Sequence, residues 1–228
     1  MRSSLAITAS AGKTSATVQA RRPSWADMVK HYPATNVSAK ELYVQRIGGD
    51  AAKKHDDPIY VNTCAVRMSY ALNRSGLRLG KAPSNGGTLE GGDGYNYWIR
   101  VQDVKAELMT RFKGADEELV LTLAPKSAIT NPTVFNKAFM ERWQQARDFM
   151  DMKLAGRNGI VVFETSGYLG ATGHFTLWNG KAMELAFAPG HNDREVGSYY
   201  FWLTSTFVDP DGKTVLLQVA RIKFWELK

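Results

Sequence analysis

Asn62-Thr63-Cys64-Ala65-Val66-Arg67-Met68-Ser69-Tyr70-Ala71-Leu72-Asn73 reads as the opening of a helix. Ala65, Met68 and Leu72 recur at the spacing of one helical face, and Gly76 stands where a C′ glycine ends such a helix. Asn62 and Thr63 are both good N-cap types, so Cys64 falls in the first turn. There the unsatisfied backbone N–H groups and the helix dipole favour thiolate over thiol. Cys64 is the single cysteine of the 228 residues. No intramolecular disulfide can form, and the thiol is either packed or reactive.

Upstream of this helix, folded structure is expected from Pro23. Ser24 caps a short helix bearing Trp25, Met28 and Val29, and Pro33 ends it. Ser38-Ala39-Lys40-Glu41 has the form of a capping box and opens a helix to about Arg46, closed by Ile47-Gly48-Gly49. Asp56-Asp57-Pro58 is a turn. Residues 1–21 are rich in Ser, Ala and Thr and read as a flexible leader. Their apolar segment Leu5-Ala6-Ile7 falls short of the ~7–15 residues of a signal-peptide core, so no Sec export signal is expected. The remainder, 22–228, reads as one domain.

Downstream, the Gly-rich stretch 85–94 lacks the Lys and the strand–loop–helix setting of a phosphate loop and reads as a flexible connection. A helix is expected over about 103–112. Asn131-Pro132 opens a longer one, with Phe135, Phe139 and Trp143 as a core stripe. The period then changes. Ile160-Val161-Val162-Phe163 is a buried strand, and His174-Phe175-Thr176-Leu177-Trp178 alternates as another. Asn179-Gly180 signals a two-residue hairpin turn, with a returning strand over 181–187. Further strands are expected at 199–207, 215–219 and 222–227. Helices first and antiparallel strands after them make an α+β fold.

Apolar content of 44%, charged content of 22% and a net charge of +7 fit a globular domain. The basic residues are scattered, and Arg21-Arg22 and Lys53-Lys54 are the densest groupings. That pattern, without a readable motif, argues against a nucleic-acid partner. No apolar run reaches the ~18 residues of a membrane span, and no set of residues has metal-ligand spacing.

A cysteine at a helix N-terminus followed, about a hundred residues later, by a histidine at the start of a strand is the order of papain-like enzymes. An imidazole within reach of the thiol could activate it, and the Cys64 backbone N–H could stabilise an oxyanion. His31 and His55 read as surface residues. His191, in a loop, is the rival base, but a strand start fixes His174 better than a loop fixes His191.

Beyond the Cys64 stretch stand Arg22-Pro23-Ser24-Trp25, Ile47-Gly48-Gly49, Gly159-Ile160-Val161-Val162-Phe163, Gly173-His174-Phe175-Thr176-Leu177-Trp178-Asn179-Gly180 and Phe224-Trp225-Glu226-Leu227. In this order they resemble the type VI secretion amidase effectors of family 4. The resemblance implies a papain-like, NlpC/P60-type fold, N-terminal helices packed on a C-terminal antiparallel sheet. It implies a cysteine DL-endopeptidase that cuts the bond between γ-D-glutamate and meso-diaminopimelate in peptidoglycan stem peptides. Such toxins are delivered by the type VI machinery into the periplasm of target Gram-negative bacteria, and a cognate immunity protein protects the producer. No cofactor is implied. Cys64 would be the nucleophile and His174 the base.

The family carries an aspartate eleven residues after the histidine, where this chain has Leu185. We expect Glu184 to orient His174 instead, which requires a three-residue loop pairing Thr176 with Glu184; Asp193 and Asn179 are the alternatives. Two other readings remain at this point: a wall-binding module without activity, and a papain-like deamidase or transglutaminase acting on proteins.

Overall fold

Ile160-Val161-Val162-Phe163 has no polar side chain to turn toward water, which requires that both sides of its strand be covered. The computed structural model describes residues 6–11, 14–19, 22–168 and 170–228. Its N-terminal part runs β1 (Ala6–Ala11), β2 (Thr14–Gln19), α1 (Trp25–His31), a π-helical segment (Glu41–Ile47), α2 (Gly49–Ala52) and α3 (Cys64–Arg74). The hairpin of β3 (Thr88–Glu90) and β4 (Asn96–Trp98) follows, then α4 (Val101–Arg111), β5 (Glu117–Val120) and α5 (Pro132–Phe149). The chain ends with β6 (Gly159–Ser166), β7 (Gly173–Asn179), β8 (Glu184–Leu185), β9 (Thr204–Val208) and β10 (Thr214–Glu226).

The main sheet is antiparallel, in the order β5-β10-β6-β7-β8, with β9 pairing the first part of β10. Alternation along β6 sends its residues to two separate cores. Ile160 and Val162 join Phe175, Leu177 and Trp225 beneath Met28 of α1, Cys64 and Met68 of α3 and Leu108 of α4. Val161 and Phe163 join Trp178 and Phe224 beneath Phe149 of α5 and the aromatic run at 199–203. The expected α+β layout is present, with the sheet as its middle layer.

Several local expectations hold for the reasons given. The Ser24 hydroxyl accepts from Asp27 N at 3.0 Å and starts α1. Ser38 Oγ accepts from Glu41 N at 3.1 Å at the start of the next helical segment, which runs to Ile47 in π form. Asn131 caps α5, accepting from Thr133 N and Val134 N.

Others need correction. The Gly-rich stretch is not a free connection: it contains β3, and Gly92 N donates to Ile47 O at 3.0 Å, docking the loop on the preceding helix end. The buried stripe of α5 is Ala138, Arg142, Ala146 and Phe149, and Phe135, Phe139 and Trp143 are half-buried beside it. The stretch 199–203 is a buried turn; all five side chains enter the second core, which a half-covered strand could not do. Strands expected separately at 215–219 and 222–227 are one strand, β10, with an irregularity between Val219 and Arg221. The stretch read as a flexible leader lies partly outside the described residues; within it, β1 and β2 pair antiparallel from Ala6↔Gln19 to Ala11↔Thr14.

The turn after β7 matters most. Asn179 pairs with Glu184 and Trp178 with Leu185, so 180–183 form a four-residue connection. Neither the two-residue nor the three-residue loop forms. Gly180 is spent elsewhere: its N–H donates to Asn158 Oδ1, and a Cβ there would fall 2.2 Å from Arg157 O. Asn179 Oδ1 closes the turn by accepting from Lys181 N and Ala182 N.

Candidate active site

Thr63 occupies the N-cap of α3, but its hydroxyl makes no cap bond and accepts from Arg67 Nε at 2.8 Å. The first-turn N–H groups are therefore left to the cysteine. Those of Cys64 and Ala65, with the N–H of Phe175 from β7, act on the sulfur and favour thiolate. Burial outweighs them. Cys64 is 1% exposed, and desolvation pushes its thiol up to about 11. Sγ lies 4.0 Å from the Gly173 carbonyl, so the main chain on both sides of His174 meets the thiol. Position 173 must be glycine, because a Cβ would stand 2.3 Å from Phe163 O.

His174, paired opposite Phe163 on β7, is 4% exposed. Its Nε2 lies 2.6 Å from the Phe187 carbonyl. A carbonyl only accepts, so Nε2 carries the proton and Nδ1 is left as the basic nitrogen. The Tyr200 ring lies flat on the imidazole, centroids 4.5 Å apart and planes within 12°. Burial drives His174 down to about 4; the Phe187 carbonyl opposes this, and positive charge on His191 and Arg67 adds to it. At neutral pH the closed site thus holds a neutral thiol and a neutral imidazole, not the thiolate that the helix position alone suggests. Each is held by main chain rather than hydrogen-bonded to the other.

Glu184 is not brought to His174. It is exposed, stands beside Asn179 on β8, and lines a cleft of about 220 Å³ with Trp25, Val29 and Tyr32. Strand alternation puts Asn179 and its partner on the face opposite His174, five residues along. Asp193 is exposed and accepts from Glu195 N, and Asn179 is committed to the turn. His191, the rival base, has both nitrogens engaged: Nδ1 with Ser198 O at 2.7 Å and Nε2 with Tyr168 Oη at 3.2 Å. His55 is likewise held between Ala52 O and Asp56. His31 sits half-buried in the last turn of α1.

With this geometry in view, residues 60–225 match the family model of Tae4, the type VI secretion system (T6SS) amidase effector protein 4. The chain belongs to the Tae4 family. The crystal structure of the Tae4–Tai4 effector–immunity complex from Enterobacter cloacae is similar to it at 26% identity, with a TM-score of 0.56, covering 91% of this chain and 100% of that one. The corresponding complex from Salmonella Typhimurium has 22% identity and a TM-score of 0.59 at the same coverage, a likeness of fold. Comparison with proteins of curated function found no match. The papain-like, NlpC/P60-type α+β fold is that of these Tae4 neighbours.

Sequence reasoning missed Arg67. It is 2% exposed and donates to the carbonyls of Pro33, Ala34 and Val37, and its guanidinium lies 3.9 Å from the Phe187 ring centroid. The one available signal is its place one turn after Cys64. Phe187 was missed too, because a main-chain carbonyl leaves no mark in sequence.

Burial of a neutral His174 has a stability consequence. Its folded value of about 4 lies below the ordinary 6.5. Between these pH values the unfolded chain binds more protons, so stability is complete above about pH 6.5 and falls as pH drops, by about 3 kcal/mol at the limit. Urea unfolding at pH 7 and 4.5 should show this fall, reduced in His174→Gln. An equal fall in both proteins would remove His174 as its source.

Proposed function

We propose that this Tae4-family chain is a peptidoglycan DL-endopeptidase, a single amidase domain over 22–228 that cuts γ-D-glutamyl–meso-diaminopimelate bonds. The observation that carries the reading is the lone thiol at the N-terminus of α3, set against the β7 main chain on both sides of His174. Nδ1 takes the thiol proton as sulfur attacks the γ-glutamyl carbonyl, forming the C–S bond. The Cys64 N–H faces the developing oxyanion. The protonated imidazole then gives its proton to the departing diaminopimelate amine as the C–N bond breaks. Water, deprotonated by His174, releases the thioester as a carboxylate.

Substrate must displace part of the cover, since both side chains are almost fully buried; Tyr200 is the ring that lies on the imidazole. The biological setting proposed is that of the family: type VI delivery into the periplasm of a target Gram-negative cell, and a cognate immunity protein in the producer. The solved relatives are Tae4 proteins, several in complex with Tai4. Expression in a Gram-negative host tests the setting. The protein should lyse cells when an added signal peptide directs it to the periplasm and leave them intact in the cytoplasm. Equal killing from both compartments would contradict the wall as substrate.

A further inference from the structure

Leu185 occupies the position where the family resemblance implies an aspartate, and it lies buried opposite Trp178. The acceptor that His174 Nε2 does meet is the Phe187 carbonyl at 2.6 Å. That carbonyl needs its own support. β8 ends at Leu185, and the last ladder bond runs from Ala186 N to Leu177 O. The next outward-facing carbonyl of β7, Phe175 O, is approached by Tyr32 Oη at 3.4 Å. Phe187 N turns instead to a side chain, donating to Thr176 Oγ1 at 2.9 Å. Thr176 is fully buried, stands two residues from His174 on the same strand, and directs its own hydroxyl at Leu177 O at 3.4 Å. One threonine thereby fixes the peptide whose carbonyl fixes the imidazole.

We propose that Thr176 is a positioning residue for the reaction, its hydroxyl anchoring Phe187 so that the Phe187 carbonyl does for His174 what a carboxylate does in a side-chain triad. The inference rests on the Cys64–His174 mechanism above. A carbonyl selects the Nε2–H tautomer and orients the ring as a carboxylate would, and stabilises the imidazolium through a dipole rather than a full charge. The charged groups that act on His174 are Arg67 from α3 and His191 from the loop after β8; Tyr200 of that loop stacks on the ring, Tyr168 is bonded to His191, and Cys64 Sγ meets the main chain of the neighbouring Gly173. No carboxylate is among them.

Thr176→Val keeps shape and removes the acceptor, whereas Thr176→Ser keeps the acceptor. Loosening an aligned base costs on the order of 10- to 100-fold. We expect Thr176→Val to lose that much kcat at unchanged KM, and Thr176→Ser to recover most of it. Because the carbonyl favours the imidazolium, its loss should also move the acid limb of kcat/KM in Thr176→Val to lower pH. A Thr176→Val enzyme within twofold of wild-type kcat, or a Thr176→Ser enzyme no better than it, overturns the proposal. Should the valine variant not fold, nitrogen-15 NMR of the wild-type imidazoles, assigned with His174→Gln, decides: protonated Nε2 supports the relay and protonated Nδ1 overturns it. Cys64→Ala is assayed beside them. If it retains activity, the underlying mechanism fails; if it is silent while Thr176→Val is normal, the relay alone fails.

Discussion

Cys64→Ala is expected to lose at least about 10³-fold in the release of new amines from peptidoglycan, because removing a nucleophile that acts as a unit with its base costs the whole covalent route. Stability should change little. The thiol is buried, but the bond it donates is a long one, 4.0 Å to Gly173 O, sulfur is a weak acceptor for the N–H groups around it, and the side chain is small. Loss of the sulfur should cost about 1 kcal/mol in urea unfolding. The two readouts together separate chemistry from folding. Retention of even a tenth of the wild-type rate, in a folded variant, would exclude Cys64 as the nucleophile.

The largest effect on stability is expected at Arg142→Ala. The side chain is fully buried in α5, and desolvation draws it down to about 10. It donates to Thr122 O at 2.7 Å, Val219 O at 2.6 Å, Leu203 O at 3.2 Å and Thr204 Oγ1 at 2.7 Å. These acceptors belong to the stretch after β5, to β10, to the end of the aromatic turn that carries Tyr200 and to the first residue of β9. Alanine removes the buried donor from Val219 O and Thr204 Oγ1, leaves Leu203 O with the Val219 N–H alone and opens a cavity as well, which together cost about 3–5 kcal/mol. Arg142→Lys should recover little of this, since one ammonium cannot reproduce the planar fork. Urea unfolding of both variants at pH 7 checks the expectation. A loss below about 1 kcal/mol in the alanine variant would show that water can take the place of the guanidinium.

These two residues differ in how visible they are in sequence. Cys64 can be read because three local signals agree: two cap-type residues before it, apolar spacing after it and Gly76 beyond. β6 and β7 are legible for the same reason, a run or an alternation that no other local structure explains. Arg142 is not, because a single arginine on a helix reads as solvated surface, and its acceptors are about 20 to 77 residues away in sequence. The same holds for Arg67. Glu184 fails for a different reason. Each residue added to a turn moves the returning strand by one, and with it the face of every side chain. Turn length was decided by Gly180 packing against Arg157, a tertiary contact to which the Asn179-Gly180 signal is blind. The run 199–203 fails because aromatic residues suit a strand and a buried turn equally well until their neighbours are known.

On the proposed mechanism, a thiol and an imidazole in this fold cut one bond of the stem peptide. Digesting purified Gram-negative peptidoglycan and identifying the fragments by mass spectrometry tests it most directly. The digest should contain fragments ending in a free γ-carboxylate on D-glutamate, matched by fragments with a new α-amine on diaminopimelate, and neither should appear with Cys64→Ala. Intact stem peptides after digestion with the wild-type protein, or ammonia released from glutamine in a protein substrate in place of those fragments, would contradict it.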